Sequence, residues 1–108
     1  MLAPIKVSPA ATMQIQQAAQ QAGAADLALR LAATRQPDGG IDYLMGFDAI
    51  QPTDIKVEIS DDRTLVFAPT YQNLLVGMTL DYVELAPGQF NFIFINPNDA
   101  HYQPPHEA

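Results

Sequence analysis

The chain has 108 residues, 12 acidic against 5 basic, and no cysteine, for a formal net charge of −7. That length holds one domain with one modest core. The charge argues against nucleic acid or an anionic membrane surface as partner, since both need a basic face. The lack of cysteine excludes disulfides, thiolate nucleophiles and thiolate metal sites. No apolar run approaches the roughly 18 residues of a membrane-spanning helix, and the opening MLAPIKVSPA lacks the charged-then-apolar design of a signal peptide. A cytoplasmic location is therefore the expectation.

Ala3–Val7 reads as a short strand. Ser8-Pro9 then starts a helix, with a hydroxyl cap followed by proline at the first helical position, where its missing N–H is not needed. The helix runs to about Ala22 and ends at Gly23. Its apolar stripe of Met13, Ile15, Ala18, Ala19 and Ala22 is thin.

Beyond it the period changes to two. Leu27, Leu29 and Leu31 alternate with Ala28, Arg30 and Ala32. A Pro-Asp-Gly-Gly turn follows at 37–40. Ile41, Tyr43, Met45 and Phe47 then alternate with Asp42, Leu44, Gly46 and Asp48. Ile55, Val57 and Ile59 make another strand, and Asp61-Asp62-Arg63 a hairpin turn before Leu65-Val66-Phe67. Residues 69–75 suit a short helix released by Gly77. Strands Leu80–Leu85 and Phe90–Ile95 flank Ala86-Pro87-Gly88-Gln89, a type II turn by its Pro-Gly pair, and Asn96-Pro97-Asn98-Asp99 stops the last strand. The sum is an α+β chain of about seven short strands and two helices. Residues 1–100 form the domain, and the proline-bearing residues 101–108 form a flexible C-terminal tail.

Candidate chemistry is sparse. Asp38, Asp42 and Asp48 offer oxygen donors for a divalent cation, but they lack EF-hand spacing and read more simply as turn and surface residues. Asp38→Ala is accordingly expected to change stability by no more than about 0.5 kcal/mol, as at most exposed sites. His101 and His106, near Asp99 and Glu107, are metal-ligand types on a loose segment that must order to bind. Neither Ser8 nor Ser60 sits in a G-x-S-x-G frame, and no phosphate loop is present. Phe90, Phe92 and Phe94 read as core, because no basic residues interleave with them as on a base-stacking platform. Tyr71 and Tyr82 read as structural. These residues support a binding or scaffold module without cofactor or metal, not an enzyme.

The order of the pieces resembles the HesB/IscA family of A-type iron–sulfur carriers. The likeness rests on Val7-Ser8-Pro9-Ala10-Ala11, then Leu29-Arg30-Leu31, then Gly40 to Phe47 with its Tyr43-to-Phe47 spacing. Leu80-Asp81-Tyr82-Val83 and Phe92-Ile93-Phe94-Ile95-Asn96-Pro97-Asn98 complete it. It covers about residues 5–103. The resemblance implies a sandwich-like arrangement of mostly antiparallel strands with two helices. Carriers of the family hold iron or a cluster through three cysteines, one in the glycine-rich loop and a C-x-C pair near the C-terminus. Aligned on the shared motifs, those positions fall at Asp38, near Gln103 and near Pro105.

RQPDGGIDYLMGFD, TLDYVELAPGQFNFIFINP and HYQPP are similar to a cysteine-free branch of the family encoded with the reverse-acting dissimilatory sulfite reductase system of sulfur-oxidising bacteria. That likeness implies a non-catalytic accessory or regulatory protein of cytoplasmic sulfur oxidation, with a protein partner from sulfur metabolism and a monomer rather than a cluster-bridged dimer. The expected interaction face comprises Asp38, Gly39, Gly40, Asp42, His101, Tyr102, Gln103 and Pro105. The alternative is an accessory protein of iron or iron–sulfur cluster assembly that binds metal through Asp38, Asp42, His101 and His106.

Overall fold

A computed structural model describes residues 5–60, 63–100 and 102. The chain runs β1 (Lys6–Val7), α1 (Pro9–Gln21), β2 (Ala28–Arg35), β3 (Ile41–Asp48), β4 (Ile55–Ser60) and β5 (Arg63–Phe67). A 3-10 turn (Pro69–Tyr71) leads into α2 (Gln72–Leu75), β6 (Thr79–Ala86) and β7 (Gln89–Ile95). Two sheets result, one of order β1-β6-β7 and one of order β3-β2-β5-β4. The β1–β6 and β2–β5 pairs are parallel and the others antiparallel. This is the mostly antiparallel α+β arrangement expected. Of β1, residues 3 and 4 lie outside the described residues.

Local signals set the first elements. Ser8 is the N-cap of α1, with its Oγ accepting the Ala11 N–H at 3.0 Å, Pro9 in the first turn and Gly23 at φ +69° after the end. The same Oγ donates to Asp81 Oδ1 at 2.6 Å and so ties the helix start to β6. The helix buries Ala11, Ile15 and Ala19. Met13, expected in the stripe, is 65% exposed. A spacing of four residues puts 11, 15 and 19 on one face and turns 13 away.

The core lies between α1 and the inner faces of the sheets. Ile15, Leu31, Leu65, Leu75, Met78 and Leu80 are fully buried there. β3 alternates as expected, with Ile41, Tyr43, Met45 and Phe47 turned inward. Three expectations need correction. Leu27 precedes β2 and is exposed. Arg63, assigned to the turn, is instead the first residue of β5 and is buried, because its Nη1 donates to the Leu27 carbonyl at 2.6 Å. Residues 61 and 62 of that turn lie outside the described residues. Phe90, assigned to the core, is 51% exposed. It sits opposite Glu84 near the tip of the β6–β7 hairpin, beyond the reach of the core, and rests on Tyr82 at a centroid distance of 5.8 Å. Phe92 and Phe94 are half-buried against the core, as are Tyr71 and Tyr82.

No helix among the described residues is long and apolar enough to cross a membrane.

On the outer face of the four-stranded sheet Arg30 clasps two carboxylates. Its Nη1 and Nη2 donate to Asp54 at 2.9 and 2.6 Å, its Nε to Asp48 at 2.8 Å, and Nη2 also to the Ala49 carbonyl at 2.9 Å. Arg30 pairs in register with Val66, which is fully buried, so the clasp lies beside the sheet's covered centre. The guanidinium, with help from the Gln51 N–H, pulls the Asp54 carboxyl from its ordinary 3.8 down to about 2. A carboxyl whose folded-state pKa is depressed stabilises the fold above its unfolded pKa and loses that contribution as pH falls through the folded value. We therefore expect thermal stability to drop between about pH 4 and about pH 2. Asp54→Asn should lower the melting temperature at neutral pH and flatten that part of the acid profile, as read by melts across the range.

Candidate functional site

The site is built on the turn between β2 and β3. The Gly39 N–H donates to the Gln36 carbonyl at 2.9 Å, and the Gln36 N–H to the Gly40 carbonyl at 2.7 Å. Proline at 37 suits the first corner of such a turn, and Gly39, at φ +90°, supplies the left-handed residue that closes the hairpin. Asp38 Oδ1 accepts the Gly40 N–H at 2.8 Å, so its carboxylate braces the turn from inside. Asp42 Oδ2 accepts from Gln36 Nε2 at 2.6 Å.

The segment after β7 packs onto this turn. The Ala100 N–H donates to the Gly39 carbonyl at 3.0 Å. A Cβ on Gly39 would meet the Ala100 Cβ at 3.0 Å. Arg35 Nη1 bridges the two pieces, donating to the Gly39 carbonyl at 2.6 Å and the Asn98 carbonyl at 2.8 Å. The Tyr102 N–H donates to the Asp99 carbonyl at 2.9 Å, which turns the chain back at this point.

Beneath lies the Asn96-Pro97-Asn98 segment. Asn96, 1% exposed, donates from Nδ2 to the Leu74 carbonyl at 2.7 Å and to the Tyr43 hydroxyl at 3.1 Å, and its Oδ1 accepts the Asn98 N–H at 2.9 Å. Asn98 Nδ2 donates to the Val76 carbonyl at 2.8 Å. The Tyr43 ring stacks on Phe94 at 4.2 Å, and its hydroxyl donates to Asp99 Oδ2 at 3.4 Å. Burial, and to a lesser degree the Asp99 carboxylate, raise the Tyr43 pKa above its ordinary value, against the pull of the Asn96 amide. The phenol is thus held protonated, as a donor.

Of the expected face, Asp38, Gly39, Gly40, Asp42 and Tyr102 are described, and the turn and the segment leading to Tyr102 meet. His101, Gln103, Pro105 and also His106 lie outside the described residues. The carboxylates considered for a cation have separate occupations: Asp38 in the turn, Asp42 with Gln36, and Asp48 with Arg30. Among the described residues no three of His, Cys, Asp and Glu gather in a metal-binding group. Ser8 is a helix cap, and Ser60 Oγ accepts from Gln16 Nε2 at 3.2 Å. Sequence reasoning missed Arg35 and the structural role of Asn96. The N-P-N triplet was the available signal, because two amides around a proline suit side-chain bonding to nearby backbone.

Two substitutions test this arrangement. Asp38→Ala leaves the Gly40 N–H without its partner, so the expectation of near-neutrality gives way to a loss of about 0.5–1.5 kcal/mol, measured by denaturant unfolding. Gly39→Ala should cost more, about 1–3 kcal/mol for a side chain in the left-handed region. It should also shift the Ala100 amide resonance, since the added methyl group meets that residue.

No family model matches the chain. Over 95 residues it is 33% identical to the iron–sulfur cluster insertion protein ErpA of Xanthomonas oryzae pv. oryzae, a match covering 88% of this chain and 73% of that one. Its fold is similar to that of Escherichia coli SufA, involved in biosynthesis of iron–sulfur clusters, with a TM-score of 0.73 and 19% identity over 90% of this chain and 83% of the other. It is also similar to IscA bearing a 2Fe–2S cluster, with a TM-score of 0.67 and 26% identity over 89% and 85% of the two chains. These relatives are cluster-insertion and cluster-assembly proteins rather than catalysts, and the non-catalytic reading of the sequence stands with them. The chain belongs to the HesB/IscA family of A-type iron–sulfur carriers, as a member without cysteine.

Proposed function

We propose that the protein is a DsrR-like accessory or regulatory protein of cytoplasmic sulfur oxidation that acts by contacting another protein, not by carrying a cluster. The observation that carries this reading is the donor set. Cluster iron is held by thiolates, and the chain has none. Asp38, at the loop position where carriers of the family place a cysteine, already spends a carboxylate oxygen on the Gly40 N–H. Glutamine at 103 is a poor iron ligand, and proline at 105 has no side-chain donor. These residues do not fit a cluster as cargo.

The loop and the segment after β7 nevertheless stay joined through Gly39, Ala100 and Arg35. A joined pair of segments without ligands suits a contact surface. In this reading Asp38, Gly39, Gly40, Asp42 and Tyr102 belong to that surface, with His101, Gln103 and Pro105 in a tail of residues 101–108 attached to a domain of residues 1–100. The formal charge of −7 favours a protein partner over nucleic acid. Without a bridging cluster the protein works as a monomer. The link to sulfur oxidation rests on the likeness of RQPDGGIDYLMGFD, TLDYVELAPGQFNFIFINP and HYQPP to the DsrR branch.

The purified protein should be colourless and should take up no cluster on reconstitution with iron and sulfide. A stoichiometric visible charge-transfer band that chelation removes overturns this and favours metal binding through the aspartates and histidines. In cells, disrupting the gene should impair sulfur oxidation, and a copy lacking residues 101–108 should fold but fail to restore it. Full restoration by that shortened copy would remove the tail from the contact surface.

A further inference from the structure

The outer edge of β3 is unguarded. β3 ends the four-stranded sheet. Gln36 and Gly40 form the first hydrogen-bonded pair of its hairpin with β2. Bonded and non-bonded pairs alternate in an antiparallel ladder. The register therefore directs the backbone groups of Asp42, Leu44, Gly46 and Asp48 to β2, and turns those of Ile41, Tyr43, Met45 and Phe47 outward. Among the described residues no backbone hydrogen bond links these outward groups to another element.

Edges of this kind are ordinarily blunted by lysine, proline, a bulge or short length. The opposite edge of the same sheet, β4, is blunted in this way, with exposed Lys56 and Glu58 and an irregular register between Glu58 and Ser60. β3 instead runs eight residues in unbroken register, without proline or lysine. Its two aspartates are drawn back onto their own sheet, Asp42 by Gln36 and Asp48 by Arg30. Between them Leu44 is 74% exposed. Its neighbours Ala32 and Gly46 are small, and a groove of about 380 Å³ runs beside it.

We propose that the β3 edge receives an extended segment of a partner protein as a fifth strand, with an apolar side chain against Leu44 and a basic one facing Asp42. The backbone groups of 41, 43, 45 and 47 supply the pairing, and the outer-face side chains supply selectivity. The basic character follows from what surrounds the edge. Arg30, Arg35 and Arg63 are engaged within the fold, Lys56 is on the far edge of the sheet, and Lys6 is in the other sheet. Beside Leu44, Asp48 is paired with Arg30, whereas Asp42 is bonded only to the neutral Gln36 amide and keeps a charge for a partner's base. A second copy is a poor occupant. It brings another charge of −7, which opposes its association at this edge. The chain's own C-terminus is a poor one too, because Pro104 and Pro105 have no N–H to pair. This surface shares only Asp42 with the turn face and is centred on Leu44, and the proposal stands whether or not the sulfur-oxidation reading does.

The test uses the full chain and a displayed library of random peptides about ten residues long, enough to span one strand. Enriched peptides should alternate apolar residues with lysine or arginine. At saturation they should slow amide exchange at Ile41, Tyr43, Met45 and Phe47 by at least about tenfold. Leu44→Lys, at an exposed position, should weaken binding by at least about tenfold while leaving the melting temperature in place, and Asp42→Asn, which keeps an acceptor for Gln36, should weaken it by removing the charge. The proposal is overturned if no enriched peptide depends on Leu44, if the enriched peptides are neutral or acidic, or if protection falls elsewhere. It is also overturned if the four amides already exchange slowly in the free protein. Concentration-dependent protection would then identify a second copy as the occupant, and concentration-independent protection the chain itself.

Discussion

The buried amide of Asn96 is the constraint on which the site depends. It lies where the end of β7, the α2 helix and β3 converge, and it satisfies a carbonyl from one, a hydroxyl from another and the N–H of its own turn. A buried amide left without partners costs about 1–3 kcal/mol, so these three elements hold position together. Pro97 and Asn98 then direct the chain toward the β2–β3 turn, where Arg35 and the Gly39 carbonyl receive it. The meeting of loop and C-terminal segment is thus imposed by packing and hydrogen bonding within the protein. It needs no metal to hold it.

That self-sufficiency separates architecture from cargo. The family resemblance puts the cysteines of the carriers in these same two pieces. Here the loop carboxylate of Asp38 turns inward to its own backbone, and the Tyr43 phenol is held protonated among amide and aromatic neighbours. In the function proposed above, the site's geometry outlasts the atoms that bind, because that geometry rests on residues that are not the ligands.

What was legible in the sequence was local or periodic. Ser8-Pro9 announces a helix start because the cap bonds lie within four residues. The alternation of Ile41 to Phe47 is clear because one face is buried and the other wet. Alanine-rich α1 hid its true face, since alanine marks neither side, and Met13 was misplaced for that reason. Arg63 and Phe90 failed for a different cause. The burial of one depends on the Leu27 carbonyl, brought close by the fold. The exposure of the other depends on how far a hairpin extends past the core, a length that no local pattern encodes. The ordered motifs pointed to the family, but the part played by Arg35 emerged only once Gly39 and Asn98 were seen side by side.

The parallel pairing of Lys6–Val7 with Thr79–Leu80 has a consequence for how the protein comes into being. The hairpins β2–β3, β4–β5 and β6–β7 join neighbours in the chain and close small loops. β1 must wait for a strand more than two-thirds of the chain away, and loop-closure entropy makes such contacts late and slow. During synthesis β1 emerges well before the strand it pairs with, so it is among the later elements to find its place. Until β6 has been synthesised, the start of α1 lacks the Asp81 carboxylate that Ser8 engages, and at 13 residues the nascent helix is only marginally stable by itself. β1 and the start of α1 therefore settle only once β6 is in place, and their docking closes the three-stranded sheet.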